Sequence, residues 1–315
     1  MNRLAIILVA TVMALCAEAQ ESQTVFNFLR LPVSAHVAAL GGDNITLSDD
    51  DATLTFHNPA LANNVSDKTL NLNMMTYMQG AFTGSASFLR AAGERGTWAA
   101  SARFVSYGTM KETNVAGEQT GTFSAKDIAV GATYAYALSN YFAGGITAKF
   151  VGSYIGRYNS LGACVDIGLN YYHAATEWSV SAVARNLGGQ LTAYDDDFER
   201  MPLDVQLGVS KRFVGSPLRL SFTMVRLNDW EYGLGRHFVL GLDVLLGQTV
   251  YFSAGYNALR ASEMKISSAD NGSSAHGAAL SFGGGLTLEK FKLHLAYARY
   301  HVSSTSLLLN LSYSL

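Results

Sequence analysis

From Leu161 the chain reads LGACVDIGLNYY, and apolar residues recur at every second position. Leu161, Ala163, Val165, Ile167, Leu169 and Tyr171 share one face, and Gly162, Cys164, Asp166, Gly168, Asn170 and Tyr172 share the other. Strict period-two alternation over that length predicts a β-strand with one apolar wall. The same pattern returns in Leu203, Val205, Leu207 and Val209, in Leu218, Leu220, Phe222 and Met224, and in Trp178, Val180, Ala182 and Ala184. The chain ends on it too: Leu307, Leu309, Leu311, Tyr313 and Leu315 fall on one face.

About fourteen such stretches follow Thr69, at 69–78, 81–90, 96–107, 125–137, 141–153, 160–172, 177–186, 202–212, 217–226, 237–246, 249–257, 277–287, 290–300 and 305–315. Their usual length of 9–11 residues is that of a membrane-crossing strand, and single-chain barrels need an even number. Long connections are expected at Gly108–Ser124, Leu187–Met201 and Ala258–Gly277, and short turns at Ser139-Asn140 and Gly247-Gln248. Short periplasmic turns opposite long outer loops would place both chain ends in the periplasm. The fold class expected is therefore all-β: a transmembrane outer-membrane barrel of about 14 antiparallel strands, preceded by an N-terminal plug segment.

Composition narrows this further. Only 15% of the chain is charged, against roughly 25% in soluble domains, yet no mature stretch is apolar for long enough to form a membrane helix. There are 30 glycines, 16 tyrosines and 16 phenylalanines. The net charge of −2 argues against a nucleic-acid partner. Residues 1–19 read as a signal peptide. Asn2-Arg3 precedes the apolar run Leu4–Cys16, and Ala17-Glu18-Ala19 provides a small-x-small cleavage site before Gln20. Leu15 disfavours reading Cys16 as a lipidated residue. Cleavage leaves Cys164 as the single cysteine, which excludes an internal disulfide. The resulting division is leader 1–19, N-terminal segment 20–66 and barrel 67–315.

On the polar face, Lys149, Asp166, Arg185, Asp204, Arg219 and Asp243 lie on six consecutive expected strands with alternating sign. Charges cannot face lipid cheaply, so these should point inward and pair across strands, with Asp166 within salt-bridge reach of Arg185 or Lys149. They fill a lumen in one reading and line a pathway in the other. No chemistry stands out elsewhere. Ser262–Lys265 has the SxxK spacing but lies in a loop without partner motifs. The seven histidines form no HxxxH pair, so no metal or cofactor is expected. No nucleophile–base pair can be assembled, so no catalytic residue is assigned. Gly283-Gly284-Gly285 inside a strand suggests a bulge or a close approach to the wall.

The region ahead of the strands differs in kind. Asp49, Asp50 and Asp51 are consecutive, without the alternation and closing Glu of a calcium loop. With Ala38-Ala39 and Gly41-Gly42 before them and Asn58-Pro59-Ala60 after, they resemble the N-terminal fingerprint of FadL-like outer-membrane barrels. "FNFLRLPVSAHVAALGG" followed by "DDDATLTFHNPALANN" is similar to the PorV/PorQ family of that fold, from the type IX secretion system of Bacteroidetes, and closest to PorQ-like members. The resemblance implies a plug at the periplasmic end of the barrel and a non-enzymatic role. It implies a protein that sits in outer-membrane lipid, holds a PorZ-like surface protein in the cargo attachment complex and has no small-molecule substrate. The alternative is a FadL-type channel for hydrophobic small molecules. For the anchor, the acidic tip Asp195, Asp196 and Asp197 is the candidate partner loop.

Overall fold

The structure, a computed structural model, describes residues 24–315 except 230–232, 248, 265, 269–271, 275–276 and 302–303. The leader, its cleavage site, Lys265 and Asp270 thus lie outside the described residues. Fourteen antiparallel strands close into a barrel. They are β1 (Thr69–Thr76), β2 (Phe82–Ala92), β3 (Gly96–Thr113), β4 (Gln119–Ala137), β5 (Phe142–Ile155), β6 (Tyr158–His173), β7 (Trp178–Thr192), β8 (Asp204–Arg212), β9 (Leu218–Met224), β10 (Phe238–Leu246), β11 (Val250–Asn257), β14 (Leu280–Thr287), β15 (Phe291–His301) and β16 (Ser304–Ser314). β16 pairs back onto β1, so the sheet has no free edge. The short hairpin β12 (Ile266–Ser268) and β13 (Gly272–Ser274) stands apart from the barrel.

Each expected stretch becomes one barrel strand, because period two fixes both the element and its face. Along β6, Ile167 and Leu169 face out while Cys164, Asp166 and Asn170 are buried. The outer wall is a belt of exposed Leu, Ile, Val and Phe, such as Leu72, Ile128, Ile146, Leu207, Leu240 and Leu309. Aromatic rings gather at its lower rim. Tyr141 stacks on His173 at 5.1 Å and Phe291 meets Tyr313 at 4.7 Å. Such girdles sit at the two interfaces of a bilayer.

Three expectations about the ends change. The connection over Gly108–Ser124 is mostly strand: β3 and β4 stay paired to Thr113 and Gln119, leaving a tip at 114–118. β7 likewise runs to Thr192, which shortens the next connection. Paired backbone continues the ladder through Thr109–Glu112 and Gly121–Ser124, so length alone does not mark a loop. The third change concerns the termini. Leu315 does lie at the short-turn end, where its amide bonds the Lys68 carbonyl. Val25, however, bonds the Arg200 carbonyl in the connection between β7 and β8, at the opposite end. Residues 25–66 therefore run the length of the lumen before β1 begins. The glycine triplet of β14 carries no bulge, since its register with β11 and β15 is unbroken. It is a close-approach site instead. A Cβ on Gly283 would lie 2.6 Å from that of Ala39.

The assignment of faces is testable. Ile167→Arg should cost about 2–4 kcal/mol if that position meets the middle of the bilayer. Urea unfolding in lipid vesicles measures it, and an unchanged midpoint would mean that β6 is out of register by one residue.

Candidate functional site

The N-terminal segment is built from short capped turns rather than long elements. Ser34 caps helix α1 (Ala35–Ala39) by accepting from the Val37 amide at 3.2 Å. Asp51 caps a 3₁₀ turn over Ala52–Phe56 through the Thr53 amide at 2.9 Å. Asn58 caps another over Pro59–Asn64 through the Ala60 amide at 3.0 Å, and Pro59 occupies the first position, where a missing N–H costs nothing. Val37, Leu40, Leu47, Leu54 and Leu61 form a small core within the segment. Gly41 and Gly42 follow α1 with φ of 107° and 96°, a left-handed exit that favours glycine. The wall accommodates the segment closely. Added Cβ atoms on Gly145 and Gly168 would strike Pro59 and Asn58, and one on Gly255 would strike Leu40.

The three acids have separate tasks. Asp49 accepts two bonds from the Arg219 guanidinium, both at 2.8 Å. Asp50 pairs with Lys292 at 2.6 Å and accepts from the Ser66 amide at 2.9 Å. Asp51 is a cap. Burial raises the Asp49 carboxyl, but Arg219 outweighs it and holds the group below its ordinary value. Asp50 is also held low: burial opposes this, while the bonds from Lys292 and Ser66 prevail. Asp43, not singled out in the sequence, meets Arg185 at 3.1 Å, yet burial keeps its carboxyl above the ordinary value.

All six ladder charges point inward, and the structure pairs them as neighbours. Lys149 meets Asp166 at 2.7 Å, Arg185 meets Asp204 at 2.8 Å and Arg219 meets Asp243 at 2.8 Å. Asp166 does not pair with Arg185. The register shifts between Val165 and Ile167, opposite a left-handed Asn186 (φ 61°), so Asp166 accepts from the Asn186 amide at 2.7 Å instead. The ladder is also longer than the sequence reading had it. Arg103 on β3 and Asp127 on β4 are buried inward-facing charges that extend the alternation to eight strands. The same polar-face rule would have found them. Asp127 takes the Tyr107 hydroxyl at 2.7 Å. Arg103 lies over the Phe28 ring at 5.5 Å, and its Nε and one terminal nitrogen have no hydrogen-bond partner among the described residues. It borders a cavity of about 50 Å³ between the segment and the wall, with Leu29, Phe56, Lys149 and Asp166. The tip Asp195–Asp197 is exposed.

No family model and no curated protein matches the chain. Solved structures do match in shape. The CymD monoaromatic hydrocarbon channel aligns with a TM-score of 0.56 at 13% identity, over 92% of this chain and 98% of its own. The Pseudomonas putida toluene transporter TodX aligns with 0.58 at 12%, over 91% and 99%. A Pseudomonas aeruginosa FadL homologue aligns with 0.53 at 10%, over 89% and 97%.

Two measurements probe the interior. Arg219→Met leaves Asp49 and Asp243 buried without their cation and should cost about 3–5 kcal/mol in urea unfolding. The second follows acid titration. Burial, then the charges of Arg185 and Arg103, hold the His57 imidazole well below its ordinary value. The unfolded chain binds that proton near pH 6.5 and the folded chain does not. Stability from His57 is thus full above pH 6.5 and declines below it, by up to about 1.4 kcal/mol per pH unit. Asp49 and Asp50 contribute loss only below the ordinary carboxylate range, so between pH 7 and 5 the slope should flatten in His57→Gln. By fold, then, the chain is similar to these outer-membrane barrels, and its apolar outer wall suits that setting.

Proposed function

We propose that the protein is a non-enzymatic outer-membrane barrel that passes small hydrophobic molecules, with residues 20–66 as its plug. The observation that carries this reading is the closed fourteen-stranded wall around an N-terminal segment, a fold it has in common with hydrocarbon channels along nearly their whole length. The segment blocks a straight path, so passage requires part of it to shift. Among the contacts that hold it are three ion pairs, Asp43 with Arg185, Asp49 with Arg219, and Asp50 with Lys292, beside apolar packing of Phe28, Ala35 and Ala52 on the wall.

A second reading is favoured by two specific features. The lumen is filled and its ion pairs are satisfied, and the Gly41-Gly42, Asp49–Asp51 and Asn58-Pro59-Ala60 fingerprint resembles PorQ-like members of the type IX secretion system. In that reading the barrel holds a PorZ-like surface protein through its outer connections. A stable contact needs at least about 1,000 Å², more than one hairpin tip supplies. The tip at 114–118, the Asp195–Asp197 stretch and the connection from Ala258 to Gly277 would act together.

One experiment separates the readings. The protein in lipid vesicles should speed entry of a labelled aromatic hydrocarbon relative to protein-free vesicles, and shortening the three outer connections should leave that rate intact. No entry above background, together with loss of a co-purifying surface protein on shortening, would sink the channel and favour the anchor.

A further inference from the structure

His36 of α1, Asp51 beside it in the lumen, and His294 of β15 are buried together, and one possible ligand atom from each lies within 4.8 Å of the others. Their hydrogen bonds leave specific atoms unused. His36 directs Nε2 to Asp243 Oδ1 at 3.0 Å. A carboxylate accepting from one imidazole nitrogen leaves the lone pair of the other available, the arrangement that orients a metal-ligating histidine. His294 shares Nδ1 with the Tyr251 hydroxyl at 2.6 Å, and its Nε2 has no partner among the described residues. Asp51 spends Oδ1 on the Thr53 amide and hydroxyl. Its Oδ2 is unpartnered and stands 3.9 Å from His294 Nδ1, too far for a hydrogen bond. Asp51 is 2% exposed and His294 4%, so bulk water does not satisfy either one. Unpartnered buried polar atoms of this kind each carry a desolvation cost.

The charge around the cluster points the same way. Asp49, Asp50, Asp51 and Asp243 carry four negative charges, and Arg219 and Lys292 supply two positive ones. The carboxylates outnumber these cations by two, and Asp51 and Asp243 among them are buried while Asp49 and Asp50 are partly exposed. We propose that His36, Asp51 and His294 bind one divalent transition-metal ion, of which Zn²⁺ is the type, and that this ion ties the N-terminal segment to the barrel wall. Two imidazoles and a carboxylate are a fitting donor set for Zn²⁺, which takes them at about 2.0–2.2 Å. Two ligands of one tetrahedral ion lie about 3.3 Å apart, so the three side chains draw slightly inward on binding. Asp49, whose Oδ2 lies 3.9 Å from His36 Nδ1, or a water molecule completes the coordination. The ion bridges α1 and the acidic turn on one side to β15 on the other, and this holds in either functional reading.

The test uses the full-length, tag-free protein in detergent, stripped with a chelator and then given ZnCl₂. Metal analysis after gel filtration should find one Zn²⁺ per chain, and the thermal midpoint should rise with Zn²⁺ and fall back on chelation. His294→Gln and Asp51→Asn should each weaken binding at least tenfold and lose the midpoint shift, while His173→Ala, at the end of β6 and outside the cluster, should keep the parent's Zn²⁺ binding and midpoint shift. Co²⁺ in the unmodified protein provides a readout free of folding effects, since tetrahedral nitrogen–oxygen coordination gives visible absorption bands. Absence of retained Zn²⁺ and of those bands in the parent overturns the proposal. So does Zn²⁺ binding that His294→Gln leaves unchanged. A midpoint that never responds to Zn²⁺ overturns it as well.

Discussion

Six of the charges on the inner wall of this barrel, from Lys149 to Asp243, are met by another charge. The outer face is an apolar belt, and the lumen is occupied by residues 25–66, which exclude most water from the wall's inner side. Under those conditions an unpaired guanidinium or carboxylate costs several kcal/mol. Wall and segment are therefore one electrostatic system. Arg219 is the clearest case: its Nε is taken by Asp243 of the neighbouring strand, and its two terminal nitrogens by Asp49 of the segment. Arg185 directs one terminal nitrogen to both Asp204 and Asp43, and its Nε has no partner among the described residues.

The seating of the segment follows from this and from the backbone. A cross-strand pair alone satisfies a lysine with one carboxylate, as in Lys149–Asp166. An arginine presents five donors in a fixed fork, and one wall carboxylate cannot occupy them. The segment supplies the remainder, and its acids stand where the wall's arginines need them. Small residues on the inner face then allow contact at backbone distance. Gly145 and Gly168 receive Pro59 and Asn58, and Asn58 spans the gap by donating to the Leu169 carbonyl of β6 at 3.5 Å. Polar pairing sets which part of the segment meets which strand, and steric fit sets how closely.

How much of this could be read in the sequence depends on the range of each interaction. Strand number and facing were legible because period two is local, and Ile167 or Leu309 reveals its side through its immediate neighbours. The alternation of charge was legible for the same reason, and Arg103 and Asp127 lay within reach of that rule. Its pairing was harder. The shift between Val165 and Ile167 depends on a left-handed Asn186 that no motif marks. The path of residues 25–66 was not legible, because it is fixed by contacts more than a hundred residues apart, such as Asp49 with Arg219 and the Ala35 amide with Asn310. A search for short-spaced histidine motifs likewise cannot see His36 beside His294. They come together only once α1 docks on β15.

The distribution of these contacts limits how the interior could open. The ion pairs that hold the segment run to β7, β9 and β15. Withdrawing it entirely would break all three and leave the buried Arg185, Arg219 and Lys292 without these partners. The side facing β2 to β5 differs. There the segment presents Leu29 and Phe56 to a small cavity, and Arg103 keeps two nitrogens without hydrogen-bond partners. Apolar contacts at a cavity can be rearranged in small steps, whereas a buried ion pair has to be broken outright. A passage for hydrophobic molecules is therefore compatible with this interior only if the segment stays latched on one side and yields on the other. An anchoring barrel has no need of the yielding side, and the unsatisfied Arg103 would then be a stability cost without a use.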